Sequence, residues 1–290
     1  MKTFFLLTTA ATLCIAGSVP PENGSPEKRS KRPATAPINA TRTAVAPPPV
    51  PDPDNGGIKL VTGFSALVFA DNVGKARHAA IDPITGTLFV KLGRLDDGKG
   101  IVQLSDTDGD GRADETVTFG SYPGTGAGIY NGYLYASADT AVFRYKLTNG
   151  KVMETTQPET IITGLTLQRQ HAGKSLALSP DGKLYVNFGA PSNACQEKDR
   201  QKGSKGQDPC PLLESYGGIW VFDANKMNQR QSDGKRYATG IRNAVALDWN
   251  TATNTLYALQ HGRDNLNNWG GVFTDSLSAE LPSEEFLMVK

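Results

Sequence analysis

One two-strand unit returns four times along the chain, and that recurrence narrows the possible folds more than any other feature. It reads Ala79-Ala80-Ile81, a turn from Asp82-Pro83 to Gly86, then Leu88-Phe89-Val90. It returns as Gly128-Ile129-Tyr130, Asn131-Gly132, Leu134-Tyr135-Ala136, and again as Leu176-Ala177-Leu178, Pro180-Asp181-Gly182, Leu184-Tyr185-Val186. The fourth copy is Val245-Ala246-Leu247, a turn through Asn254, then Leu256-Tyr257-Ala258. Short apolar strands joined by Asn, Asp and Gly turns are β-hairpins. Their second-strand leucines lie 46, 50 and 72 residues apart, and further strands such as Ala141 to Tyr145 and Gly218 to Phe222 fall between them. Four-stranded units at a period of about 40 to 50 residues predict an all-β propeller, whereas a β-sandwich would not repeat one hairpin at this interval. Roughly 230 residues, less one insertion, give about four to five blades.

The propeller is expected over residues 58–290. Ahead of it, Lys2 and an apolar run from Phe4 to Ala16 lead to the small residues Gly17 and Ser18, the order of a secretory signal peptide over residues 1–18. Residues 19–57 read as a Pro-rich leader. From Gly17 to Gly57 there are ten of the 18 prolines and no aromatic residue, too little apolar area to offset ordering entropy. The leader carries sequons at Asn23 and Asn39, and the basic pairs Lys28-Arg29 and Lys31-Arg32 as possible processing points. Cys14 leaves with the signal, so Cys195 and Cys210, in a polar insertion, are expected to form a disulfide in an oxidising compartment.

Charge excludes some partners. Thirty basic residues against 29 acidic ones give +1, without the basic surface that grips nucleic acid or an anionic bilayer. No apolar stretch reaches the ~20 residues of a membrane span.

Residues before a blade's first strand and after its second share one rim of the channel. Those slots hold Arg77-His78, Gln170-His171, Arg242-Asn243 and Gln260-His261-Gly262-Arg263-Asp264, and they contain all three histidines. Elsewhere, Asp106, Asp108, Asp110 and Asp114 stand at positions 1, 3, 5 and 9 of a loop with Gly111 at position 6, a Ca²⁺-binding pattern. Val117 occupies the position where an EF-hand needs glutamate, so the loop is expected to join propeller strands and to lie between blades.

The ordered set His171, Leu176 to Gly189, Ala238-Thr239-Gly240-Ile241-Arg242-Asn243, Gln260 to Asp264 and Leu281-Pro282-Ser283-Glu284-Glu285-Phe286 resembles the soluble quinoprotein glucose/sorbosone dehydrogenase family. The resemblance implies a six-bladed propeller that binds pyrroloquinoline quinone (PQQ) and Ca²⁺ over the channel. It further implies a sugar substrate and a separate electron acceptor such as a quinone, dye or cytochrome. On it, His171 is the general base, Arg242, Asn243, His261, Gly262 and Arg263 contact the cofactor, and the main-chain carbonyls of Gly262 and Arg263 ligate the bridging Ca²⁺.

The chain departs from the family by stopping at Lys290, inside the apparent strand Glu285 to Val289. Two further blades with more cofactor-binding cations are expected in the family, so this chain reads as a fragment that holds PQQ weakly. Two other readings stand beside the dehydrogenase. A calcium-dependent lactonase-type hydrolase would need Glu, Asn and Asp side chains on a channel metal, and a non-catalytic propeller would bind glycans or proteins.

Overall fold

The structure, a computed structural model, describes residues 4–5, 49–269, 273–280 and 284–290. Four antiparallel sheets follow one another in chain order, each a blade. Ahead of them a strand β1 (Phe4–Phe5) pairs with β2 (Val68–Ala70). The first blade is β3 (Ala76–Ile81), β4 (Leu88–Asp96), β5 (Lys99–Ser105) and β6 (Glu115–Phe119). The second is β7 (Ala127–Tyr130), β8 (Tyr133–Ser137), β9 (Val142–Lys146) and β10 (Glu159–Ile162). The third is β11 (Leu176–Leu178), β12 (Lys183–Phe188), β13 (Gly218–Asp223) and β14 (Lys235–Thr239). The fourth has three strands, β15 (Ala244–Asn250), β16 (Thr255–Gln260) and β17 (Glu285–Val289). A short helix α1 (Asp275–Glu280) precedes β17. All four expected hairpins are the first two strands of a blade, in the expected order. Asn131-Gly132 turns with both residues at positive φ (47° and 76°), the geometry that matches strand twist.

Side-chain alternation explains how the blades stack. The second strand of each complete blade is buried on both faces, as in β4 from Leu88 to Leu92 and β12 from Leu184 to Phe188. Successive residues therefore serve opposite neighbours. Leu134 and Ala136 of β8 pack with Phe89 and Ile101 of blade 1, while Tyr135 packs with Leu184 and Val186 of blade 3. Tyr185 of β12 turns the other way, against Leu247 and Leu256 of blade 4. On blade 4's far face Leu259, Phe286 and Met288 are exposed. The first strand β3 instead alternates between half-buried and exposed residues, because one side faces the channel.

Polar links pin blade 2 to blade 3. The Tyr135 hydroxyl (2.9 Å) and Arg144 (3.4 Å) both donate to the Ala224 carbonyl, and within blade 2 Arg144 also donates to Glu159 (2.6 Å) with its guanidinium over the Tyr133 ring. The polar insertion of blade 3 joins β12 to β13 and is closed by a Cys195–Cys210 disulfide with Cα atoms 6.1 Å apart.

Asp52, inside the expected leader, is held by the Val68 amide (2.7 Å) and pairs with Arg112. The rest of the expected signal peptide, residues 19–48 of the expected leader with Asn23, Asn39 and both basic pairs, and Leu281 to Ser283 lie outside the described residues. Among the described residues no helix is long and apolar enough to cross a membrane.

Two stability changes follow from this architecture. Tyr135→Phe leaves the Ala224 carbonyl with only the longer Arg144 contact (3.4 Å) and should cost about 1 kcal/mol in urea unfolding. Cys195→Ser with Cys210→Ser should cost roughly 3 kcal/mol by the chain-entropy relation, and an unchanged unfolding midpoint would show that the bridge leaves the unfolded state unconstrained.

Candidate functional site

His171 sits in the loop that enters β11, with its backbone in the left-handed region (φ 52°), uncommon for a residue with a side chain. Several contacts enforce that conformation. Its Nδ1 lies 2.5 Å from the Ala190 carbonyl. A carbonyl can only accept, so Nδ1 carries the proton and Nε2 keeps its lone pair. The buried Gln168 amide donates to the carbonyls of Gln170 (2.7 Å) and Gly189 (2.8 Å). A Cβ at Gly189 would stand 2.5 Å from the His171 Cβ and 3.0 Å from Asn243 Oδ1, so only glycine lets the two segments approach. Burial is the largest influence on the imidazole and pushes its pKa below 6.5. The Ala190 bond opposes it, and the charges of Arg242 and Arg200 add to it.

Arg242 precedes β15, where the chain turns back onto the rim. Its guanidinium donates to the Asn193 carbonyl (3.0 Å) and to Asn193 Oδ1 (2.9 Å), and lies 3.4 Å from Asp264. Asp264 is bound more closely by Arg200 (2.5 Å), whose Nε also donates to Gln170 (2.9 Å). The disulfide-closed insertion thus spans the rim, from Gln170 beside His171 to Asp264 beside Arg242. Ala190 links the two sides: its carbonyl accepts from His171, and its amide donates to the Arg242 carbonyl (2.7 Å).

The predicted site residues divide between two adjoining cavities. His171 and Asn243 line one of about 400 Å³ with Lys75, Arg77, Thr125 and Asp139, drawn from all four blades or the loops leading into them. Arg242, His261, Gly262 and Arg263 line the other, about 410 Å³, whose opposite wall is the cysteine insertion. Asn243 Oδ1 accepts from Asn187 (3.1 Å). His261 is exposed and its Nδ1 meets Glu284 (2.8 Å), which also takes the Gly262 amide (3.1 Å). His78 lines neither cavity; it faces a third with Leu178 and Asp248.

The acidic loop differs from expectation in two respects. It joins β5 to β6 within blade 1 rather than lying between blades, because the turn closes a hairpin. Asp106, Asp108 and Asp114 bring carboxylate oxygens within 4.8 Å of one another, whereas Asp110 turns to the Arg112 amide (2.7 Å) and is not in the cluster. Asp106 takes the amides of Gly109 (2.7 Å) and Gly111 (2.9 Å). Thr107, through its hydroxyl and its amide, holds the Asp114 carboxyl below the usual carboxylate range.

Nothing in the sequence singles out Asn193 or Arg200, since both lie in an insertion whose composition reads as a solvated loop. Gln168 and Lys174 flank His171 in sequence, but only the fold reveals that their polar ends turn inward onto backbone carbonyls.

The chain matches the TrAA12-like family over residues 58–290. No curated protein matches it. Among solved structures, it is similar to the calcium structure of Trichoderma reesei carbohydrate-active enzymes family AA12, at 20% identity and a TM-score of 0.58, over 76% of this chain and 53% of that one. It is also similar to the holo form of the pyranose dehydrogenase PQQ domain from Coprinopsis cinerea, at 15% identity and a TM-score of 0.60, over 83% of this chain and 53% of that one. The chain therefore spans about half the length of the solved structures it matches. With four blades in the expected order and a family match across all of them, the chain belongs to the TrAA12-like family.

Proposed function

We propose that this chain carries the base-bearing part of a secreted, PQQ-dependent oxidoreductase that oxidises a sugar or a sugar-derived alcohol or aldehyde. The observation that carries the reading is His171 with Nδ1 occupied and Nε2 free, on the wall of a cavity that also holds Asn243 and adjoins Arg242. Family membership and the named PQQ domain of a solved relative support it. The disulfide supports secretion.

The donor chemistry fits an anionic quinone with three carboxylates. Lys75 and Arg77 outnumber Asp139 on the wall beside His171. Arg242 shares Asp264 with Arg200, so the three together keep a net positive charge. Arg242 and Asn243 would hold the cofactor with His261, and the carbonyls of Gly262 and Arg263 would ligate a bridging Ca²⁺. When bound, the quinone supplies a two-electron acceptor for the substrate's hydride, and a separate acceptor then removes the electrons. His171 Nε2 takes the proton of the substrate hydroxyl, the task of a base that is neutral near pH 7. The fixed guanidinium of Arg242 stabilises negative charge that develops nearby. A second Ca²⁺, at Asp106, Asp108 and Asp114, would brace the β5–β6 hairpin.

His171→Ala should cut turnover at least ~100-fold. In the unmutated enzyme the rate should fall as pH drops through the His171 pKa, which lies below 6.5, because protonation consumes the lone pair the reaction uses. An acid limb unchanged by His171→Ala would place the base elsewhere. For the loop, saturating Ca²⁺ at a hundredfold excess over its dissociation constant should stabilise the fold by roughly 2.7 kcal/mol, and Asp108→Ala should remove most of that. A melting temperature indifferent to chelator would count against a bound ion.

A further inference from the structure

Lys174 is buried to 1% exposure three residues after His171, and the reaction proposed above makes no use of it. Its ammonium donates to the Ala172 carbonyl (2.6 Å) and lies 5.6 Å from the centre of the Phe188 ring. Its own carbonyl accepts from the buried Ser137 hydroxyl (2.7 Å), which anchors the residue to blade 2. Between Lys174 and His171, a Cβ on Gly173 would meet the Thr125 hydroxyl at 2.8 Å, and the Gly173 carbonyl accepts from Asn187 (3.2 Å). The left-handed turn at His171 is thus clamped on its N-terminal side by Gln168 and on its C-terminal side by Lys174. A strained backbone conformation of this kind persists only where its surroundings over-determine it.

The structure assigns Lys174 the role of a positioning residue: its ammonium holds the Ala172 carbonyl and so fixes the direction in which His171 presents Nε2. The assignment rests on the reading of His171 as the base, and its geometry is independent of any bound cofactor. Burying a cation without a direct carboxylate partner is costly. The carboxylate whose charge reaches Lys174 is Asp139, from the loop after β8, and the same charge reaches buried Lys91 of β4. From blade 3 the ammonium also meets the face of Phe188. Burial presses the Lys174 pKa down to about 8, against the pull of Asp139. Near that pH the charge-assisted bond to Ala172 becomes a weaker neutral one, and the His171 loop relaxes.

The test follows the imidazole NMR signals of His171, assigned with His171→Ala, in the cofactor-free chain as pH is raised. The expected result is the ring's own titration below 6.5 and a second, smaller step near pH 8. Lys174→Met should abolish the second step, and Lys174→Arg, charged throughout, should also lack it while keeping the ring's unmutated low-pH shifts. Asp139→Asn should move the step to lower pH, because it removes the charge that favours the ammonium. A ring with no step near pH 8, or a step that survives Lys174→Met, would overturn the assignment. If Lys174→Met does not fold, the unmutated chain and Asp139→Asn still decide it. Turnover does not enter this readout, so an inactive enzyme would count against the base assignment and not against Lys174.

Discussion

No blade here can bury its own hydrophobic faces, and the rest of the structure depends on that constraint. Residues on the second strands point alternately to the preceding and following blade, so Tyr135 and Leu134, adjacent in sequence, belong to different cores. Stacking the blades then fixes where their first strands stand, and the loops entering those strands converge on one rim. His171 enters β11 and Asn243 enters β15, and both reach the same cavity because the strands they precede line one channel. The chemistry of the site is a consequence of inter-blade packing.

The repeat was legible because propeller geometry writes itself into sequence at every blade: an apolar triplet, an Asn, Asp or Gly turn, a second triplet. The rim slots followed from that grammar, and His171, Arg242 and Asn243 all fall where it puts them. The bracing of the site was not legible. Asn193 and Arg200 act through a loop that crosses from one rim segment to the other, and contacts between residues 29 to 71 positions apart leave no local pattern. The acidic loop was legible as a turn of clustered carboxylates but not in its place, since a hairpin loop within a blade and a connection between blades have the same composition.

Two kinds of control meet at His171. Contacts through the backbone of Ala190 set its tautomer and tie it to the segment of Arg242. Buried side chains, Gln168 before it and Lys174 after it, hold the loop that carries it. The first kind decides which nitrogen is available, and the second decides where that nitrogen points. On the far face of blade 4, exposed Phe286 and Met288 mark a surface with the apolar character of the buried inter-blade faces.

On the proposed reading the base, His171, and the cofactor anchor, Arg242, are separate residues on one rim. Equilibrium dialysis of PQQ, with Ca²⁺ present, against the protein and two variants tests this separation of roles. The expected result is saturable binding that His171→Ala leaves within a small factor and Arg242→Ala weakens severely. Binding that is indifferent to Arg242→Ala, or that His171→Ala abolishes in a folded protein, would contradict it.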